Sequence, residues 1–293
     1  MDNPVLSDLI NLLDIERIDS HIFRGQSRDL GGKSVFGGQV LSQALVAAAR
    51  TVDSGATAHS LHAYFVRAGR MDAPIVYDVD IVRDGRSFAV RRVHAIQYGR
   101  PIFTMIASFH QTEPGLEHAE TMPDVPPPES LRSQADWRKE WAADCPEGYR
   151  ERFLRQLAID FRPVEPQNPF HPTAEAPAQH IWFRADGALG DDHLLHQAVL
   201  TYSSDFSLLS TALLPHASSF VQRHMIVASL DHALWLHRPF RADEWMLYVM
   251  DSPTAQFGRG LSRGNIFARD GTLVASVAQE SLMRDTRLLD AAD

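Results

Sequence analysis

The chain has 293 residues, 44% hydrophobic and 22% charged, which predicts a globular protein with a sizeable core. The formal net charge of -9 leaves no overall basic field, so nucleic acid is not an expected partner. One cysteine excludes a disulfide framework, and no apolar run approaches the roughly 20 residues of a membrane-spanning helix. We therefore expect a cytoplasmic protein without stable membrane insertion.

The first half of the chain predicts a buried helix. Residues 1–19 alternate acidic and apolar residues, as a surface helix does and a signal peptide does not. Gly37 and Gly38 then precede VLSQALVAAARTV, which carries no charge until Arg50. A helix that is apolar on all sides is buried, and a curved antiparallel sheet would cover it. The two glycines fit either a tight strand-to-helix turn or the close approach of a ligand to the backbone.

Strands follow this helix. SLHAYFVRAG (60–69) leads to a β-rich run over 77–111, in which Asp84-Gly85 and Tyr98-Gly99 are turn signals. The run ends before EPGLEHAETMPDVPPPESL, whose prolines fit neither a helix interior nor a central strand. This change in composition predicts a linker over 113–156.

The second half repeats the first. DHALWLHRPF (231–240) leads to another β-rich run, 245–284, whose Asp270-Gly271 turn matches Tyr98-Gly99. Upstream, we match Ile159-Asp160-Phe161-Arg162 to His21-Ile22-Phe23-Arg24, and each precedes one long helical segment. The sequence thus predicts two α+β domains, 1–112 and 157–293, each with the order strand, helix and antiparallel meander.

The helical segment of the second half, residues 193–214, contains one carboxylate, Asp205, in the run YSSDFSLLST. A buried ionised Asp costs several kcal/mol unless it is paired or hydrogen-bonded. Three interpretations remain open at this point. Asp205 caps a second helix, makes a structural hydrogen bond, or acts as an active-site carboxylate.

Ser229 and Gln279 are polar residues within otherwise apolar strands of the second half. Singly, each fits a polar position that faces water. Together they would supply a hydroxyl and an amide to orient a water molecule that Asp205 deprotonates.

A second polar run, Asp191 to His196, offers carboxylates and two histidines three residues apart on a helix. It fits a metal site, an Asp-x4-His pair such as some hydratases use, or a helix start capped by Asp. Ser229 does not lie in the Gly-x-Ser-x-Gly motif of serine hydrolases, which disfavours it as a nucleophile.

The chain resembles the acyl-CoA thioesterase II family over nearly its whole length. The resemblance rests on five segments: IFRGQSRDLGGKSVFGGQVLSQAL, HSLHAYFVRAG, YDVDIVRDGRSFAVRRVHAIQYGRPIFTMIASF, DHALWLHRPF and DGTLVASVAQESLMR. It implies a double hotdog fold, in which two helix-wrapping antiparallel sheets are fused in one chain. It also implies hydrolysis of medium- to long-chain fatty acyl-CoA without any cofactor or metal, and a homo-oligomer, either a dimer or a tetramer.

The family's catalytic Asp, Thr or Ser, and Gln fall on Asp205, Ser229 and Gln279. The resemblance therefore implies that Asp205 activates a water for direct attack on the thioester. The alternatives are a hotdog enoyl-CoA hydratase and a non-catalytic acyl-CoA-binding module.

The substrate would need further contacts. Backbone N–H groups at Gly37-Gly38 are expected donors to the developing oxyanion. Phe36, Phe65, Trp235 and Leu236 are expected walls of an acyl tunnel. The expected cations for the CoA phosphates are arginines of the first β-rich run: Arg83, Arg86, Arg91 and Arg92.

Overall fold

The computed structural model describes residues 3–29, 32, 34–52 and 55–289. Within these ranges the first half contains two helices and six strands. They are α1 (Pro4–Leu13), β1 (Glu16–Arg17), β2 (Ile22–Gly25), α2 (Gly37–Ala49), β3 (Ala56–Phe65), β4 (Ile75–Asp84), β5 (Phe88–Gln97) and β6 (Arg100–Gln111).

The segment after β6 carries helices and no strand in the part that the structure describes. They are a 3-10 turn (Pro128–Ser130), α3 (Gln134–Trp141) and α4 (Arg150–Phe153). The second half follows with β7 (Ile159–Pro163), β8 (Ala178–Ala185), α5 (His193–Ser204), α6 (Leu208–Leu213), a 3-10 turn (Leu214–His216), β9 (Met225–Ser229), β10 (Asp231–Leu236), β11 (Met246–Gln256), β12 (Arg259–Ala268), β13 (Leu273–Asp285) and α7 (Thr286–Leu289). None of the described helices is long and apolar enough to span a membrane.

The described strands form one antiparallel sheet that runs through both halves. Its order is β1-β2-β4-β5-β6-β3-β10-β13-β12-β11-β8-β7, with β9 beside β13. The order is mirrored about the pair β3–β10, so that each half contributes a meander of the same topology. The predicted match of Tyr98-Gly99 with Asp270-Gly271 agrees with this symmetry, because these turns join β5 to β6 and β12 to β13.

One predicted match between the halves is wrong. Residues 159–162 lie in β7, the outermost strand, whereas the strand that occupies the position of β2 is β8. β2 pairs with β4 as β8 pairs with β11, and β8 directly precedes the helix of its half. The two segments share a short pattern of apolar and charged residues, and only strand pairing distinguishes them.

Helix α2 is the buried helix that its composition predicts, since every residue from Gly38 to Ala48 is buried. It packs against α5 of the other half. Gly38 approaches the Tyr202 carbonyl so closely that an added Cβ would lie 2.4 Å from it, and the Ser42 hydroxyl donates to the Ala198 carbonyl at 2.6 Å. From the first contact to the second, the residue number rises in α2 and falls in α5. The two helices are therefore antiparallel, and the start of α2 meets the end of α5.

The architecture is the α+β double hotdog predicted from the sequence: each half wraps an antiparallel sheet around a helix. The division at 112 and 157 stays a prediction. The connecting segment does contain ordered helices, and it borders the cavity described below.

Candidate active site

Asp205 is the residue at which α5 ends. The following helix, α6, begins after Ser207, which adopts the left-handed conformation with φ 71°. The prediction that Asp205 caps a second helix is therefore wrong, because the capping position belongs to Ser207. A carboxylate at a helix C-terminus faces the negative end of the helix dipole, so α5 does not stabilise its charge.

The start of α2 provides the stabilisation of the Asp205 charge that α5 does not. The Gly38 N–H donates a hydrogen bond to the Asp205 carboxylate, at the positive end of the α2 dipole. A Cβ at Gly37 would lie 2.6 Å from Asp205 Oδ2 and 2.9 Å from the Phe65 ring. The glycine pair therefore makes the turn into α2 and also allows the carboxylate to reach the backbone.

The structure brings the three sequence-predicted residues together. Ser229, at the end of β9, donates from Oγ to Asp205 Oδ1 at 3.3 Å. Gln279, on β13, donates from Nε2 to Ser229 Oγ at 3.1 Å and to Ser281 Oγ at 3.2 Å. Gln279 is 1% exposed, so its amide orientation is set by these partners.

Sequence reasoning missed His232, which connects Gln279 to Ser204 through its two ring nitrogens. His232 Nδ1 lies 2.7 Å from Gln279 Oε1, and Nε2 lies 3.0 Å from Ser204 Oγ, on the residue before Asp205. Burial lowers the pKa of His232 to about 4, so the ring is neutral at neutral pH. A neutral imidazole that donates from Nδ1 fixes the Gln279 carbonyl oxygen towards itself and the amide N–H groups towards Ser229. The signal in the sequence is a histidine three residues after Ser229 in an apolar strand.

Desolvation dominates the electrostatics of Asp205. Burial raises the pKa of Asp205 to about 7, and the hydrogen bonds from Gly38 and Ser229 oppose this shift. The neighbouring rings of Phe36 and Phe206 lie 4.5 Å apart, centroid to centroid, and Tyr202 packs against both. The carboxylate thus changes its protonation state in the physiological range.

A cavity of about 650 Å³ opens over Asp205 and Ser229. Phe36 and Phe65 line it, as expected for the acyl tunnel. Trp235 and Leu236 are not among the lining residues. Trp235 lies on β10, where its ring makes an edge contact with His62 at 5.2 Å, so this part of the predicted wall is wrong.

The arginines predicted to hold CoA phosphates do not line this cavity. Arg91 is 1% exposed and donates to Thr51 Oγ1 at 2.9 Å, and it pairs with Asp84 at 2.6 Å. It stabilises the first half internally and cannot reach a ligand. Other arginines, on different elements, line the cavity: Arg67, Arg138, Arg152 and Arg155.

The run from Asp191 to His196 starts α5. Asp192 caps the helix by accepting from the Leu194 N–H at 2.9 Å, and Asp191 pairs with Arg241 at 2.8 Å. Both ring nitrogens of His196 are occupied, by the Ala242 N–H and the Gly190 carbonyl, each at 2.9 Å. The described residues contain no cluster of three metal-ligating side chains. These contacts leave the metal and hydratase interpretations without a reactive group.

Comparisons with known proteins show the family of the chain. A family model described as acyl-CoA thioesterase matches residues 149–282, and a model of the acyl-CoA thioesterase N-terminal domain matches residues 26–110. The chain is 42% identical to acyl-CoA thioesterase 2 of Haemophilus influenzae over 96% of its own length and 99% of that protein. The chain belongs to the acyl-CoA thioesterase family.

Two further relatives support membership of this family. Acyl-coenzyme A thioesterase 8 of Homo sapiens is 41% identical over 93% of this chain and 88% of that protein. The crystal structure of an acyl-CoA thioesterase II from Mycobacterium marinum superposes with a TM-score of 0.77 at 41% identity, covering 94% of this chain and 97% of that one. Within this thioesterase, the N-terminal model contains α2 and the other contains Asp205, Ser229 and Gln279, so the site lies where the two matched regions meet.

Proposed function

We propose that the protein hydrolyses medium- to long-chain fatty acyl-CoA to free fatty acid and CoA, with Asp205 as the general base. The observation that carries this proposal is the hydrogen-bond chain from Gln279 through Ser229 to Asp205, at a cavity with apolar walls. A pKa of about 7 suits a base that must accept a proton near neutral pH and release it again.

In this proposal the water binds between Asp205 and Ser229. Ser229 receives a hydrogen bond from Gln279 and donates its own hydrogen to Asp205, so its remaining lone pair can accept from water. A water that donates one hydrogen to Asp205 and the other to Ser229 presents a lone pair to the thioester carbonyl. Gln279 acts through Ser229 in this arrangement, because its two N–H groups reach Ser229 and Ser281.

The reaction needs no covalent acyl-enzyme. The water oxygen bonds to the carbonyl carbon while Asp205 takes the proton, and the carbonyl electron pair moves to the oxygen. Collapse of this tetrahedral intermediate breaks the carbon–sulfur bond, and the proton returns to the CoA thiolate. The Gly38 N–H already donates to Asp205, so within the Gly37-Gly38 pair we assign the Gly37 N–H as donor to the oxyanion. Every step uses groups of the chain and water, in line with the expectation that no cofactor is required.

The cavity supports the substrate class. Its walls include Phe36, Phe65, Phe103 and Phe206, and they bury an acyl chain at roughly 0.8 kcal/mol per methylene. We further place the protein in the cytoplasm as a homo-oligomer, either a dimer or a tetramer, following the family resemblance.

Replacing Asp205 with Asn tests the base. The variant keeps the shape of the side chain and removes its basicity, so kcat for acyl-CoA hydrolysis should fall at least about 100-fold. Release of CoA thiol from saturated acyl-CoAs of increasing chain length measures this and gives the chain-length preference. Unchanged turnover by Asp205→Asn would exclude the base, and no release from any acyl-CoA would favour a binding module.

An isotope experiment distinguishes direct water attack from attack by the carboxylate. In a single turnover in ¹⁸O-labelled water, direct attack places ¹⁸O in the first fatty acid released. If Asp205 were the nucleophile and water then attacked the Asp205 carbonyl of the anhydride, the first product would carry unlabelled oxygen from the carboxylate and Asp205 would gain the ¹⁸O. Mass spectrometry of that first product decides between them.

A further inference from the structure

The cavity has a charge opposite to that of the whole chain. The protein has a formal net charge of -9. The described residues that line the cavity nevertheless include four arginines, and Asp205 is the one carboxylate among them. A cleft lined by one sign of charge concentrates ligands of the opposite sign. The cavity therefore attracts an anion, although the protein surface as a whole repels one.

Of the four arginines that line the cavity, Arg138 is the one whose charge has no polar partner among the described residues. It lies on α3, half-buried, and lines the cavity. Its guanidinium lies 5.7 Å from the centroid of the Phe153 ring, and within the described residues it has neither a side-chain hydrogen bond nor an ion pair. Burial lowers the pKa of Arg138. A partly desolvated guanidinium without an anionic partner raises the free energy of the folded protein. An anionic ligand would offset that increase.

The other arginines leave donors free as well. Arg152, on α4, is exposed and donates one N–H group to the Gly32 carbonyl at 2.7 Å. Arg67, which follows β3, donates one to the Pro101 carbonyl at 2.7 Å. A guanidinium has five N–H donors, so each retains several for a ligand. Arg155 differs, because it already pairs with Asp29 at 3.8 Å.

We propose that α3 and α4 form the phosphate-binding side of the active site, where Arg138 and Arg152 hold the phosphate groups of CoA. This inference rests on the proposed thioesterase function and assigns the anion-binding role to the segment between the two halves. Guanidinium groups match the geometry of phosphate oxygens and make charge-assisted hydrogen bonds with them. The connecting segment is then part of the substrate site rather than only a tether.

A comparison of two substrates with the same acyl group distinguishes an effect on phosphate binding from an effect on catalysis. One is the acyl-CoA and the other is the acyl thioester of N-acetylcysteamine, which has no phosphate. Arg138→Gln and Arg152→Gln should each raise KM for the acyl-CoA about tenfold or more. Both variants should leave KM and kcat for the N-acetylcysteamine thioester within twofold of wild type.

Arg150→Gln is the matched control. Arg150 lies on α4, two residues before Arg152, is exposed, and does not line the cavity. This variant loses the same charge, but at a position outside the cavity, so it should leave KM for both substrates unchanged. Raised ionic strength should also increase KM for the acyl-CoA in wild type, and less so in the double variant Arg138→Gln/Arg152→Gln.

Two results would overturn the assignment. KM for the acyl-CoA could stay within twofold of wild type in the double variant, or KM for both substrates could rise equally, as expected if these residues only shape the cavity. Isothermal titration of wild type and Arg152→Gln with free CoA repeats the test without turnover, on an exposed residue whose loss should not impair folding. In every case, hydrolysis of the N-acetylcysteamine thioester by wild type but not by Asp205→Asn reports on the proposed function independently.

Discussion

Ionised Asp205 lowers the stability of the folded protein, because burial removes part of the water that would otherwise solvate its charge. Two hydrogen bonds, from Gly38 and Ser229, recover part of this free energy. A destabilised base is useful at an active site, since an unperturbed Asp would be too weak a base to accept a proton at neutral pH.

Asp205→Asn should therefore stabilise the protein, and more so at pH 8 than at pH 5. The folded-state pKa of about 7 lies above the ordinary value of 3.8 for Asp, so the folded state binds more protons between these values. Stability from this group then falls as pH rises from about 4 to about 7, by at most about 4 kcal/mol. Thermal unfolding at both pH values measures the difference.

Asp124→Asn is the control for loss of one charge, because Asp124 is exposed in the connecting segment. It should give similar unfolding temperatures to wild type at both pH values. A destabilised Asp205→Asn at pH 8 would contradict the desolvation argument.

His232 should affect catalysis through the orientation of Gln279. His232→Leu removes the donor to Gln279 Oε1, so the amide can rotate and Ser229 loses its fixed partner. We expect kcat to fall about tenfold or more with KM little changed, because His232 is fully buried and does not line the cavity.

His232→Asn provides the check on this explanation. Its amide nitrogen occupies a position close to that of Nδ1 and can donate to the same oxygen, so it should recover most of kcat. If His232 had only a structural role, both variants would lower kcat equally. That result would reject the positioning role.

At the scale of elements, the contact between α2 and α5 positions Asp205, the proposed base. α5 ends at Asp205 with its negative pole, and α2 begins beside it with its positive pole. The contact depends on small residues, because the backbone of α2 at Gly38 touches the carbonyl of Tyr202. The strand-to-helix turn of one half thus completes the proposed active site of the other.

Gly38→Ala should separate these helices. An added Cβ would lie 2.4 Å from the Tyr202 carbonyl oxygen and 2.5 Å from the Phe36 ring, so the backbone must shift. We expect a loss of about 1–3 kcal/mol in the free energy of unfolding, measured by urea denaturation, together with a lower kcat. Gly115→Ala is the control, since no atom lies within 4 Å of a Cβ there. Equal stability of the two variants would mean that the helices do not touch as described.

At the scale of the whole molecule, the pairing of β3 with β10 makes the two halves one sheet. The Phe65 N–H donates to the Leu230 carbonyl at 2.9 Å, next to Ser229, so this seam also borders the site. Each half supplies residues that the other lacks: Gly37 and Gly38 come from the first, and Asp205, Ser229 and Gln279 come from the second.

The homo-oligomer remains a prediction at this scale. Sedimentation equilibrium should give a mass of two or four chains of 32.8 kDa. A mass that stays at one chain over the range of working concentrations would contradict it. The Asp205→Asn variant, which changes no surface contact, should give the same mass as wild type.

The sequence by itself determined the repeat, the buried helix α2, which carries no charged side chain, and the family resemblance that selects Asp205, Ser229 and Gln279. Hydrophobic periodicity and turn residues are local properties, so they can be read without a structure. The match of residues 159–162 failed because strand pairing is not local.

Only the tertiary structure decided which groups meet. Ser229 lies 24 residues from Asp205 and 50 from Gln279, and no spacing rule predicts contacts at such separations. The same limit hid His232 and the cavity arginines and made Arg91 look available, although it is buried against Thr51. Side-chain direction and burial, which depend on the packing of both halves, separate an arginine that binds a ligand from one that stabilises the fold.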